Sequence, residues 1–247
     1  MTISKIDNSQ RTAAKVAGWS GLLTFAIVVF GNFVLLNPLT VPGNAAATAQ
    51  NIVAHETQFR LTVVCFLTYS LGVVVLLSAL YVILKPLNPG LALVGALSRL
   101  VFAFLWLLST LNMLSALRLL SNANYLQVFE PDRLQALAKL HLGANFDDYY
   151  VGLPFFGLAA TICAWLWLKS NYIPKGLAIF GVISSVWCVL CAFVFLIFPN
   201  FNKIVNDYVF DTPMAIFELV VSLWLLVKGL QPSRIATAHH RPERALH

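Results

Sequence analysis

Charge is what this 247-residue chain has least of: Asp, Glu, Lys and Arg make up 11% of it, while 59% is hydrophobic. Water-soluble domains carry about 25% charged and about 45–50% apolar residues. The shortage of charge excludes a disordered chain or a long coiled coil, and the apolar excess is more than a soluble core can hide. Cysteine is scarce as well. Cys65, Cys163, Cys188 and Cys191 all fall inside apolar runs and none in a polar loop, which excludes the disulfide framework of a small secreted domain. There is no G-x-S-x-G, no P-loop, no dinucleotide fingerprint and no HxxxH or HExxH spacing. No internal repeat is visible. The basic residues behind the net charge of +6 are scattered between apolar runs without a stripe, so nucleic acid is not an expected partner.

What is present is a set of long charge-free runs, at residues 16–36, 61–84, 100–117, 149–168 and 176–198. At about 1.5 Å per helical residue each can cross about 30 Å of hydrocarbon. A sixth run, 212–227, holds one charge, Glu218, and can extend through Gly229 and Leu230. The first run is longer than the apolar stretch of a signal peptide, so it is expected to stay as a span. The lipid bilayer is thus the expected surrounding.

The expected fold is all-α: a six-transmembrane-helix bundle with two short outer-face helices. Residues 1–15 form an N-tail, 16–230 the transmembrane domain and 231–247 a basic, disordered C-tail that touches anionic headgroups. Ten of the sixteen Lys and Arg residues fall on the side of the termini and five on the other, with Arg99 left within a run. Seven of the ten acids (Glu56, Glu130, Asp132, Asp147, Asp148, Asp207 and Asp211) favour the opposite side. The positive-inside rule then places both termini in the cytoplasm. Of the two outer helices, one is capped by Asn44 and runs through Glu56. The other starts at Pro131 and carries Leu134, Leu137, Ala138 and His141 on one apolar face, as a surface or capping helix would.

Ionisable groups inside spans point to function, because each costs several kcal/mol unless paired. Glu218 is the clearest, about 10 Å along its helix from Asp211. It reads either as a proton carrier or ligand anchor, or as half of a structural ion pair, the usual solution. Arg60 and Arg99 are its candidate partners. Arg99 is deeply placed if its helix starts at Leu91 and near a membrane face if it starts at Leu100; the apolar residues 91–97 favour the deep placement. A buried Arg99 needs Glu218, Asn112 or backbone carbonyls. His55, His141, Asp147 and Asp148 form a looser outer-face polar cluster without metal-site spacing. Cys188 and Cys191 form a CxxC inside the fifth run, which reads as a redox pair or, more simply, as small residues packed between helices. Pro154 is expected to kink its helix and open a pocket on the outer side. No catalytic residue, metal or cofactor is assigned.

Several stretches, in this order and spacing, carry a family resemblance. They are RTAAKVAG at 11–18, AAATAQNIVAHETQFRL at 45–61, LYVILKPLNPGLALVGALSRL at 80–100, KSNYIPKG at 169–176 and FELVVSLWLLVKG at 217–229. With them the chain resembles a bacterial integral-membrane family known as domain of unknown function 4386. The resemblance implies a six-helix bundle in a cytoplasmic membrane, with Arg60, Arg99 and Glu218 at positions where such proteins tend to carry these residues. It brings no activity with it.

Three functional readings are therefore open. The first is a non-enzymatic protein that binds or moves a small or lipophilic ligand in an outward-opening cavity anchored by Arg60, Arg99 and Glu218. The second is a membrane enzyme acting on a lipid or quinone near the outer leaflet. The third is a scaffold or regulator of another membrane protein.

Overall fold

The structure is a computed structural model that describes residues 6–121, 123–198, 200–201, 204–205 and 207–231. Helices follow one another with no strand among the described residues. They are α1 (Asn8–Val29), α2 (Ala45–Ala54), α3 (Glu56–Leu84), α4 (Pro89–Leu120), α5 (Pro131–Ser170), α6 (Lys175–Ile197) and α7 (Asp207–Val227). Six of them, all but the short α2, are long and apolar enough to cross a membrane. A π-helical segment, Phe30–Leu36, prolongs α1, and the Gln58 amide of α3 donates to its Leu35 carbonyl at 2.8 Å.

Local chemistry explains the boundaries. Asp7 and Gln10 form a reciprocal capping box that starts α1 eight residues before the charge-free run, so the helix enters the N-tail. Asn44 and Asn88 cap α2 and α4 through their side-chain oxygens. Pro89 and Pro131 sit in the first turn, where a missing N–H does no harm. Asn171, at φ 56°, ends α5 in the left-handed region. Beyond α7, the Gln231 backbone N–H donates to the Tyr172 carbonyl at 2.8 Å, so the polar tail begins anchored; Arg234, Arg241 and Arg244 lie outside the described residues.

The six long helices form a closed ring. Each packs on its neighbour in the chain, and α7 returns to α1. Their outward faces are apolar. In α6, Ile179, Ile183, Leu190 and Phe193 are exposed, while Gly181, Ser184, Ser185 and Cys188 face inward. That inverts the pattern of a water-soluble bundle and fits a lipid surrounding, where small residues let helices approach closely. At Gly18 a Cβ would sit 2.9 Å from the Ser222 carbonyl of α7, and at Gly157 it would sit 3.0 Å from the Ser185 carbonyl of α6.

The second outer helix differs from expectation. Residues 131–146 do not form a separate surface helix but the first part of α5, one unbroken helix of 40 residues. Such a helix is about 60 Å long, twice the hydrocarbon thickness, so half of it rises beyond the bilayer. The upper part of α4 rises with it, and α2 packs against both. Pro154 lies inside this helix without ending it.

Two apolar clusters fill the ring. One, nearer the face where the chain starts (hereafter the N-terminal face), includes Leu80, Ile83, Cys163, Trp167, Phe217 and Leu225. The other, towards the opposite or far face, includes Phe66, Phe102, Trp106, Phe156, Phe195 and Phe210. The bare Gly18 seam keeps the ring shut. Gly18→Leu is expected to lower the unfolding midpoint in detergent sharply, as an overpacked core does, by about 1–3 kcal/mol. Gly143→Ala, on the risen part of α5 with nothing within 4 Å of the new methyl, is expected to be neutral or stabilising.

Candidate functional site

Arg99 and Glu218 meet where the two apolar clusters adjoin. Asn88 starts α4 early enough to put Arg99 about 15 Å along it, and Glu218 lies about 14 Å from the end of α7 at the same face. Both are therefore near the middle of about 30 Å of hydrocarbon. The Arg99 Nη2 donates to Glu218 Oε1 at 2.6 Å. Arg99 is almost fully enclosed, at 4% side-chain exposure, whereas Glu218 keeps 27%. The guanidinium carbon also stands 5.0 Å above the ring of Phe156, a cation–π contact from α5. Helices α4, α5 and α7 thus converge on one cation.

Below the pair, towards the N-terminal face, lies a cavity of about 30 Å³ lined by Arg99, Glu218, Cys163, Trp167, Leu80 and Leu225 among others. That volume holds a water or two. Small-molecule pockets run to about 300 Å³ or more, so a larger ligand requires the helices to part. Above the pair the ring is stopped by aromatic side chains. Trp106 packs on Tyr69 at 4.7 Å and on Phe66 at 4.9 Å between ring centroids, and Phe102 packs on Phe156 at 4.7 Å. Tyr150, Phe195 and Phe210 continue the plug, with Phe195 and Phe210 at 5.0 Å. The Tyr149 hydroxyl donates to Asp211 Oδ2 at 2.8 Å and ties α5 to α7 across its upper edge. The cavity differs in place from the expected outward opening and from a pocket at Pro154 on the outer side: it lies on the other side of the pair, and among the described residues bulky rings pack on one another in the outer half.

Arg60 does not join Glu218. It sits in the first turns of α3, and its Nε donates to Glu56 Oε1 at 2.6 Å with 59% and 50% of the two side chains exposed. That is a surface pair one helical turn apart, worth about 0.3–0.5 kcal/mol. Asn112 does not join it either, because it lies about 20 Å further along α4 than Arg99. Its amide instead bridges two members of the outer cluster, donating to Asp148 Oδ2 at 2.8 Å and standing 3.0 Å from His141 Nδ1. Ser109 to Asn145, at 2.8 Å, extends this seam between α4 and α5. His55 stays apart from it, and Asp147 adjoins it only as the chain neighbour of Asp148. His55 is exposed with Nδ1 3.1 Å from the Asn51 carbonyl, and Asp147 is exposed. No group of three His, Cys, Asp or Glu suited to a metal ion occurs among the described residues. Cys188 and Cys191 are buried free thiols on the inward face of α6.

Sequence reasoning did not find Trp167 and Cys163 as cavity walls, nor the Tyr149–Asp211 bond. Asp211 and Glu218 are seven residues apart, which places them on one face of α7 and was the only local signal.

A closed ring of membrane-crossing helices with opposite charges paired at its centre defines a multi-pass membrane protein of the polar-core kind. The family is shown directly: a model of the domain of unknown function DUF4386 matches residues 16–229, and the chain belongs to that family. No curated protein and no solved structure matches it.

Removing one partner of a buried pair strands the other, at a cost of about 3–5 kcal/mol. Arg99→Met and Glu218→Gln are each expected to lower the unfolding midpoint in detergent by that order, and the double variant to recover at least half of the combined loss. Additive losses in this double-mutant cycle would show that the pair is not coupled.

Proposed function

We propose that this chain is a non-enzymatic protein of the bacterial cytoplasmic membrane that binds or moves a small or lipophilic ligand at the Arg99–Glu218 pair. The observation that carries this reading is the position of the pair. It stands at the mid-depth of the ring, with space below it and a plug of rings above, and Glu218 is the less enclosed partner. A pair beside a cavity has a carboxylate able to swing away and a guanidinium able to receive another group.

The same reading takes residues 16–230 as the working unit and both termini as cytoplasmic. The support is the excess of Lys and Arg on the side of the termini. The cavity then faces the cytoplasm. A green fluorescent protein fused after Leu230 should fluoresce, and alkaline phosphatase fused at the same point should be inactive. The opposite pattern reverses the orientation.

Opening of the cavity is tested at Cys163, which lines it and is buried. With Cys65, Cys188 and Cys191 changed to Ser, Cys163 is the remaining thiol. In liposomes a small methanethiosulfonate reagent is expected to label it faster from the N-terminal side, and Glu218→Gln to raise the rate severalfold. A Cys163 that reacts only after denaturation would refute a ligand site that opens and favour a rigid scaffold.

A further inference from the structure

Four buried side-chain polar atoms lack a hydrogen-bond partner among the described residues: Arg99 Nε and the Nε1 atoms of Trp106, Trp167 and Trp224. All four are N–H donors. Two of them, on Arg99 and Trp167, belong to side chains that line the cavity, each about 3% exposed. Glu218 Oε1 is already engaged by Arg99 Nη2, and neither the second oxygen of Glu218 nor the Ser222 hydroxyl meets these two donors. The cavity therefore has two N–H donors to spare, while its one cation and one carboxylate balance each other. Buried N–H groups left unpaired are costly, so such a site selects a guest that brings lone pairs, and a guest that takes Glu218's place on the guanidinium must bring a negative charge as well. Its remaining wall is mostly hydrocarbon, with Leu76, Leu80, Phe217, Val221 and Leu225; Ser222 and Cys163 are its other polar side chains, and it holds no further charge.

We propose that this cavity is the head-group subsite for a monovalent carboxylate that enters from the N-terminal face. The inference rests on the ligand-binding reading above and names the chemistry of the ligand. Arg99 and Trp167 donate to the incoming carboxylate. Glu218 is the resident carboxylate that the guest displaces, and the space it vacates adds to the cavity. An extra anion at mid-membrane depth leaves one negative charge uncompensated. Glu218 therefore accepts one proton from water on the N-terminal side as it leaves Arg99, and the occupied site stays neutral: a guanidinium with the bound carboxylate, beside a protonated Glu218. No bond other than O–H on Glu218 is made or broken.

The test uses the full chain in lipid nanodiscs with acetate, octanoate and methyl octanoate as probes, followed by titration calorimetry in two buffers of different ionisation enthalpy. At least one carboxylate is expected to bind wild type with uptake of about one proton, and the ester is expected to bind at least tenfold more weakly. Trp167→Phe, which removes a donor and keeps the ring, should weaken binding by about tenfold. Glu218→Gln should bind without proton uptake, and the bound carboxylate should restore its lowered melting temperature. Arg99→Met/Glu218→Gln, which carries neither charge, should not bind. Binding of acetate as well as octanoate identifies free small carboxylates as sufficient; binding of octanoate alone identifies an acyl-chain acid. Equal binding of octanoate and its ester, undiminished binding by the double variant, or no binding of either carboxylate to wild type and Glu218→Gln would overturn the proposal. If Cys163 is nevertheless labelled in the folded protein, only the ligand class fails; if it is not, the ligand-binding reading fails with it.

Discussion

Hydrocarbon has no counter-ions, and that single shortage organises the molecule. A guanidinium at the middle of a bilayer must find its opposite charge within the protein, and Glu218 meets Arg99 at 2.6 Å. Because Arg99 is on α4 and Glu218 on α7, the pair reaches across the interior of the ring and joins two helices that are not neighbours along it. Phe156 brings α5 to the same cation. The register of these three helices is thereby set by chemistry that apolar packing alone would leave loose. Lipid chains compete with any Leu–Leu contact on nearly equal terms.

The halves on either side of the pair differ in kind. Towards the far face, rings on five helices pack on one another in edge-to-face, tilted and stacked pairs, and Tyr149 bonds Asp211 along their border. Towards the N-terminal face the packing has fewer rings and more alanine and aliphatic side chains, and the indole N–H groups of Trp167 and Trp224 are unmet. An assembly closed on one side and under-packed on the other, with its charges at the boundary, has a direction. The direction comes from side-chain size and does not depend on any repeat of the chain.

The spans were legible because charge-free runs of that length have few other uses, and six helices lie where the runs predict them. The depth of Arg99 was legible for the same reason: apolar residues 91–97 extend its helix towards the N-terminal face, and α4 begins at Pro89. Other features were hidden by their physics. Glu56 stands one turn before Arg60, a surface partner visible in the sequence, yet Arg60 was weighed against the distant Glu218. Residues 131–146 read as a surface helix because their polar content ends just before the apolar run starts. Nothing local tells a break from continuation when Asp147 and Asp148 tolerate either, and the hydrogen bond from Asn112 to Asp148 that supports continuation comes from another helix. The ring plug left no pattern to read, since its members are spread from Phe66 to Phe210 and come together only in three dimensions.

The unbroken length of α5 has a mechanical consequence. His141 and Asn145 near one end and Cys163 and Trp167 near the other ride on the same rod, with Leu153 and Pro154 between them. A rod held at its middle acts as a lever. A tilt of about ten degrees about that fulcrum moves points about 15 Å away by roughly 3 Å, in opposite directions at the two ends. Widening the space around Trp167 by such a tilt would pull on the Asn112 and Ser109 bonds at the far edge of the hydrocarbon. Whatever grips the protruding arm would then be mechanically linked to the charged centre.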